Sequence, residues 1–126
     1  MNSNPLEGKR ILLVDDEDFL REVLCEIFNS HGAITRSAEN GTIALELLKS
    51  EKFDAVISDI RMPGGDGLSL AENINTQLDY QPKIFLCSGF NDIPPEKTNT
   101  LDVVEIFTKP FSVDKMIDSI SQALQK

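Results

Sequence analysis

Ligands for transition metals are scarce in this sequence of 126 residues, which has one histidine, His31, and two cysteines. Zinc and copper sites draw their ligands from these two residue types, so neither metal is expected to bind. The cysteines, Cys25 and Cys87, lie far apart within apolar patterns and form no C-x-x-C pair. We predict that both are buried, reduced thiols that pack as small hydrophobic side chains.

Positive charge and long apolar runs are scarce as well. Twelve lysine and arginine residues stand against 21 aspartate and glutamate residues, a formal net charge of −9. Because this charge repels nucleic acid backbones and anionic membranes, neither is expected as a partner. No apolar stretch approaches the length of a membrane span, and residues 1–8 lack the apolar centre of a signal peptide. The sequence therefore predicts a cytoplasmic protein.

Short apolar runs alternate with stretches of helical period over residues 9–126, which suits one domain behind a short polar tail at residues 1–8. This alternation is typical of repeated βα units and a parallel sheet. The predicted strands lie at residues 10–14, 33–37, 55–58, 83–87 and 103–108. Right-handed crossovers place them in the order 2-1-3-4-5, a doubly wound, flavodoxin-like α/β sandwich of three layers.

Five helices are predicted around this sheet. The first lies at residues 18–30, the second begins at Asn40, and the others lie at residues 68–76, 95–100 and 113–124. Asn40 and Ser112 are suitable N-caps, Gly32 is typical of a helix end, and Asp66 of a helix entry. A proline pair limits the fourth helix to a short segment, because proline is tolerated only in a first turn.

Charged residues follow three of the predicted strands. Asp15 and Asp16 follow the first strand, Asp59 follows the third and Lys109 follows the fifth, while Ser88 follows the fourth. The carboxyl ends of parallel strands share one edge of the sheet, and open α/β sheets bind ligands there, at the switch point between strands one and three. We therefore expect these five residues to form one polar site.

The expected site contains three carboxylates and one lysine, which leaves two negative charges uncompensated, and a bound divalent cation would balance them. Carboxylate and carbonyl oxygens favour Mg²⁺. A carboxylate beside a divalent cation, an ammonium group and a hydroxyl is equipped to attack phosphorus. We expect Asp59 to be the nucleophile, with Lys109 and Ser88 holding phosphoryl oxygens, and the product to be an aspartyl phosphate.

At these residues the chain resembles the receiver domain of two-component response regulators. The matching segments are ILLVDD at residues 11–16, AENG at 38–41, DIRMPGGDG at 59–67, SG at 88–89 and KPF at 109–111. The resemblance covers nearly the whole chain from residue 9, and five matches in the right order make it specific. It identifies residues 9–126 as a receiver domain, either a stand-alone regulator of the chemotaxis type, a phosphate shuttle, or part of a longer protein.

The resemblance implies that Asp59 accepts a phosphoryl group from a sensor histidine kinase or a phosphotransfer protein and so switches binding to a downstream protein target. Lys109 would contact the phosphoryl group, and Ser88 would move toward it. Asp16, Asp59 and the backbone carbonyl of Arg61 would bind Mg²⁺ directly, with Asp15 acting mainly through water. Such a bacterial phosphoprotein catalyses only its own phosphorylation and dephosphorylation, and is otherwise not an enzyme.

One position departs from the family pattern. Three residues before the lysine, receivers usually have a tyrosine or phenylalanine that turns inward with the serine or threonine, and this chain has Ile106 there. Phe107 is adjacent, but successive strand residues face opposite sides, so it replaces the missing aromatic only if the strand bulges.

Two other functions fit parts of the pattern. A Mg²⁺-dependent phosphatase working through an aspartyl phosphate would need an acid two residues after its nucleophile, where this chain has Arg61, and a cap for which no residues remain. A flavodoxin-type binder of flavin or nucleotide would need a phosphate loop after the first strand. The four acids at residues 15–18 would repel a phosphate there.

Overall fold

A computed structural model of the chain describes residues 5–62, 66–88, 103–108 and 112–125. These residues contain five strands, β1 (Arg10–Val14), β2 (Ile34–Ala38), β3 (Ala55–Asp59), β4 (Lys83–Ser88) and β5 (Glu105–Thr108). They also contain four helices, α1 (Asp18–Ser30), α2 (Gly41–Ser50), α3 (Gly67–Gln77) and α4 (Val113–Leu124). The short helix predicted at residues 95–100 lies outside the described residues.

The strands form one parallel sheet in the order β2-β1-β3-β4-β5, which confirms the predicted doubly wound fold. Register is continuous from strand to strand, with Leu12 opposite Val56 and Ile57 opposite Phe85. The order reverses direction between β1 and β3. This reversal is the switch point at which sheets of this kind place their ligand sites.

Predicted boundaries agree with the structure to within two residues. β2 begins one residue late because the Ala33 amide still donates to Phe28 O, in the turn that closes α1. β5 begins at Glu105 rather than at residue 103, although the Val104 amide already donates to Ile84 O. An apolar run therefore overestimates a strand where its first residues only approach the sheet.

The helix caps are those expected from the sequence. Asn40 Oδ1 accepts from the Ile43 amide at 2.9 Å, and Asp66 Oδ1 accepts from the Ser69 amide at 2.8 Å. Ser112 also accepts an amide in the first turn of α4. Each cap satisfies a backbone donor that the helix itself leaves unpaired. The cap at Asp66 marks where α3 begins, beside the end of β3.

Two apolar cores cover the two faces of the sheet. Alternate strand side chains pack against α2 and α3 on one face, around Leu48, Leu70 and Ile74. The others pack against α1 and α4 on the opposite face, around Phe28 and Ile120. The sheet is thus the middle layer of three, as the sequence predicts.

The segment at residues 1–8, predicted as a polar tail, contributes Leu6 to the core between α1 and α4. Leu6 is 0% exposed, its amide donates to His31 O, and Pro5 O accepts from the Ser121 hydroxyl. Burial of one leucine anchors the segment because removing its side chain from water is worth about 2 kcal/mol. Residues 5–8 therefore pack on the domain.

The two thiols differ in exposure. Cys87 is buried in β4, as predicted, whereas Cys25 in α1 is only partly buried against the α1–α4 core, so the prediction for Cys25 is wrong. Both are free cysteines. Among the described residues, no helix is long and apolar enough to cross a membrane.

Phe107 and Ile106 lie on opposite faces of β5. Phe107 is buried in the α1–α4 core and stacks on Phe85 with ring centroids 6.0 Å apart. Ile106 is partly buried against the α2–α3 core and pairs with Leu86. The register between β4 and β5 runs without a bulge from Phe85 to Ser88, so Phe107 does not take the place of the missing aromatic.

Candidate functional site

Three carboxylates converge where β1 and β3 end. Asp15 comes two residues after Leu13 and Asp59 two residues after Ile57, so strand alternation puts both side chains on the α1–α4 side of adjacent strands. Asp15 is 7% exposed and Asp59 is 8% exposed, while Asp16 is exposed. Carboxylate oxygens of the three residues lie within 4.8 Å of one another. The acidic cluster expected from the sequence is therefore formed.

Asp15 is held by the residues that begin α1. Its Oδ1 accepts from the Glu17 amide at 2.9 Å, and its own amide donates to Ala38 O at 3.1 Å. Its carbonyl accepts from Arg21 Nη1 at 2.7 Å, and Arg21 also pairs with Asp18 at 2.6 Å. The backbone and side chain of Asp15 are thus fixed before any ligand binds.

Asp59 is held through the peptide that follows it. The Ile60 amide donates both to Asp59 Oδ1 at 2.9 Å and to Cys87 O at 3.0 Å. The Asp59 carbonyl oxygen accepts from the Ser58 hydroxyl at 2.8 Å. The Ile60 N–H therefore orients the carboxylate. The peptide that carries this N–H is hydrogen-bonded both at its N–H and at its carbonyl oxygen.

Gly67, the first residue of α3, lies directly against this peptide. Its amide donates to Ile60 O at 2.9 Å, and a Cβ added at Gly67 would lie 2.5 Å from Asp59 O. That separation is shorter than any real contact of a Cβ with a backbone atom. Glycine is required here so that α3 can approach the end of β3.

Gly67→Ala is expected to lower the free energy of unfolding by about 3 kcal/mol, the upper end for overpacking, because the obstructing atoms belong to backbone. The backbone movement needed to fit the added methyl group would also displace the Asp59–Ile60 peptide, which orients the Asp59 carboxylate. Urea denaturation measures the loss. Ser69→Ala, an exposed change in the same turn of α3, is the matched control and should stay near wild type. Equal stability of the two variants would contradict the close approach.

The other predicted site residues are placed as follows. Ser88 is buried at the end of β4, one residue beyond Cys87, which pairs with Asp59 across the sheet. Arg61 is exposed, two residues after Asp59. Lys109 follows the last residue of β5 and lies outside the described residues.

Sequence reasoning missed three residues that shape the site, namely Arg21, Ser58 and the close approach of Gly67. Ser58 carried a signal, since a serine inside an otherwise apolar, fully buried strand needs a hydrogen-bond partner. Arg21 carried none, because a single cation on an exposed helix turn is common. Gly67 was interpreted with Asp66 as a turn and helix entry, and its contact with Asp59 depends on how α3 packs.

The donor set fits a hard divalent cation such as Mg²⁺. It consists of carboxylate oxygens, and ligands on opposite sides of Mg²⁺ are about 4.2 Å apart. Oxygens within 4.8 Å of one another therefore need only small side-chain adjustments to share one ion. Two of the three carboxylates are buried, so like-charge repulsion among them is poorly screened and favours cation binding.

Comparisons with known proteins agree with this fold. A family model, the response regulator receiver domain, matches residues 11–121. The chain is 29% identical over 118 residues to sporulation initiation phosphotransferase F of Bacillus subtilis, covering 93% of this chain and 94% of that protein. It is 34% identical to chemotaxis protein CheY of Halobacterium salinarum, covering 93% and 98%.

A longer relative and a solved structure extend this agreement. The Regulator of RpoS of Escherichia coli is 39% identical over 108 residues. This match covers 86% of this chain and only 32% of that protein. The signal receiver domain of a histidine kinase from Syntrophus aciditrophicus superposes with a TM-score of 0.85 at 26% identity, covering 94% and 91%. The chain therefore belongs to the response regulator receiver family of two-component phosphorelay systems.

Proposed function

We propose that Asp59 is the phosphoacceptor of this receiver and that its phosphorylation requires Mg²⁺. The observation that carries the proposal is the convergence of Asp15, Asp16 and Asp59 at the switch point, within 4.8 Å. Asp59 ends β3, the middle strand of the sheet, and its carboxylate accepts from the Ile60 amide. A preoriented, largely buried carboxylate beside a cation site is suited to attack phosphorus.

Asp16, Asp59 and the carbonyl of Arg61 are the proposed direct ligands of the ion, with Asp15 acting mainly through water. The water-mediated role of Asp15 is supported by its Oδ1, which already accepts a hydrogen bond from the Glu17 amide. When bound, Mg²⁺ supplies positive charge for the oxygens of the transferring phosphoryl group. The protein contributes the orientation of the carboxylates.

In the proposed reaction a carboxylate oxygen of Asp59 forms a bond to phosphorus as the phosphorus–nitrogen bond of a phosphohistidine breaks. The imidazole leaves with the bonding electron pair, and the product is an aspartyl phosphate. Ser88 is proposed to donate its hydroxyl to one phosphoryl oxygen, since it is buried at the same edge of the sheet. Lys109 is proposed to neutralise a further oxygen, because it directly follows β5.

The donor is proposed to be a sensor histidine kinase or a phosphotransfer protein in the cytoplasm, and the target a downstream protein. The receiver catalyses only its own phosphorylation and dephosphorylation in this proposal. Some relatives are matched over nearly their full length, and others over about a third of their length. The chain, a receiver domain at residues 9–126, therefore acts either as a stand-alone regulator or shuttle, or as part of a longer protein.

Incubation with Mg²⁺ and acetyl phosphate, followed by intact mass measurement, tests the proposal. The wild-type protein should gain a single phosphoryl group, and a matched sample with excess EDTA should gain none. Failure to react with acetyl phosphate, together with failure to bind beryllofluoride, would contradict the proposed function. Multiple turnover on phosphomonoesters would instead favour a phosphatase, and retained flavin or nucleotide a flavodoxin-type binder.

A further inference from the structure

Ser58 is a buried hydroxyl in a strand whose other residues before Asp59 are apolar. It is 0% exposed, and its neighbours in register are Val14 in β1 and Leu86 in β4. Burying a hydroxyl in such surroundings is unfavourable unless it makes a hydrogen bond. Ser58 makes that bond to the carbonyl oxygen of Asp59, at 2.8 Å.

That carbonyl belongs to the peptide joining Asp59 to Ile60, and the other edge of the same peptide orients the carboxylate. The Ile60 N–H donates to Asp59 Oδ1 at 2.9 Å and to Cys87 O at 3.0 Å. Because a peptide is planar, its carbonyl and its N–H turn together. A bond from Ser58 to the carbonyl therefore also fixes the direction of the N–H.

Helix α3 restricts the same peptide. Gly67 approaches so closely that an added Cβ would lie 2.5 Å from Asp59 O and 3.0 Å from Ile60 Cα. The carbonyl is thus held between the Ser58 hydroxyl and the backbone of Gly67. Contact with Gly67 limits the movement of the Asp59 carbonyl, and the hydrogen bond from the Ser58 hydroxyl sets its direction.

We propose that Ser58 is a positioning residue for phosphoryl transfer, which holds the Asp59–Ile60 peptide so that the Ile60 N–H orients the Asp59 carboxylate. The inference rests on the proposed role of Asp59 as phosphoacceptor. Ser58 acts through the backbone and has no contact with the phosphoryl donor in this proposal. Loss of its hydroxyl removes one restraint on this peptide, so that the carboxylate is less often aligned for attack.

Ser58→Ala is the test, with Ser121→Ala as the matched control. Ser121 is also a buried serine that donates to a backbone carbonyl, that of Pro5, away from the acidic cluster. Phosphorylation by acetyl phosphate at saturating Mg²⁺ is expected to slow about 10-fold in Ser58→Ala, because small misalignments of reacting groups are costly. Ser121→Ala should react at the wild-type rate, and Ser58→Thr, which keeps the hydroxyl, should restore most of the lost rate.

The Ile60 amide gives a second measurement that does not depend on catalysis. In the wild-type protein the Ile60 amide proton should be protected from hydrogen exchange. Its NMR resonance should move in Ser58→Ala and should keep its wild-type position in Ser121→Ala. An unprotected Ile60 amide in wild type would overturn the proposal, even if no variant folds. Equal rates in wild type and Ser58→Ala would also overturn it. Wild type that fails to accept phosphate contradicts the role of Asp59 instead, and the amide measurements still test the peptide geometry.

Discussion

Asp59→Asn should gain no phosphoryl group under conditions in which the wild-type protein is fully modified. Asparagine keeps the volume of the side chain and an oxygen that can accept the Ile60 amide, which lies 2.9 Å from Asp59 Oδ1 in the wild-type protein. It loses the negative charge that makes a carboxylate nucleophilic and that attracts a cation. The variant should therefore fold normally and fail in the chemical step. Intact mass after exposure to Mg²⁺ and acetyl phosphate measures the result.

Asp79→Asn is the matched control for this loss of charge. Asp79 is exposed and lies beyond the C-terminal end of α3, whereas the N-terminal residue of the same helix contacts Asp59. The control should gain a phosphoryl group at the wild-type rate. Modification of Asp59→Asn to the wild-type extent would place the acceptor on another residue, and the proposed function would fail at that point.

Asp16→Asn should lose nearly all of the stabilisation that Mg²⁺ provides. A ligand at 100 times its dissociation constant stabilises the state that binds it by about 2.7 kcal/mol. Wild-type protein should show such an increase in the free energy of unfolding, and the variant almost none, because one of three charged oxygen donors is gone. Without Mg²⁺ the variant should be the more stable of the two, since one source of repulsion beside Asp15 and Asp59 has been removed.

Urea denaturation with and without Mg²⁺ measures both effects, with Glu17→Gln as the control. Glu17 is the neighbouring exposed acid, and its side chain lies outside the three-carboxylate cluster. This control should retain the stabilisation by Mg²⁺. If Asp16→Asn and wild type gained the same stability from Mg²⁺, the ion would bind elsewhere and the proposed ligand set would be wrong.

The usual aromatic position on β5 is where this chain departs from the family's sequence pattern. Phe107 is stacked on Phe85 in the α1–α4 core and is committed to packing there. Ile106, at the position of the usual aromatic, packs on the other face beside the α2–α3 core. The strand period predicts this division correctly, because alternate residues of a regular strand face opposite sides. Signal transmission in this chain is therefore expected to work without an inward-turning aromatic on β5.

The sequence alone was sufficient for the sheet order and for the acidic cluster. Apolar runs that end in Asp15, Asp59 and Ser88 mark strand ends, and the right-handed crossover rule then brings those ends to one edge. Local capping signals at Asn40 and Asp66 were equally readable, since each cap bonds an amide only three residues away. These features depend on period, local hydrogen bonding and a general rule of chain topology.

Only the tertiary structure decided how the cluster is held in place. Leu6 is buried in the core between α1 and α4, and Gly67 contacts Asp59 because α3 packs closely on β3. Ser58 is adjacent to Asp59 in sequence, but its hydroxyl bonds to a peptide whose position also depends on Cys87 in β4 and Gly67 in α3. Such contacts depend on distances and orientations between packed elements, which residue types and spacing do not specify.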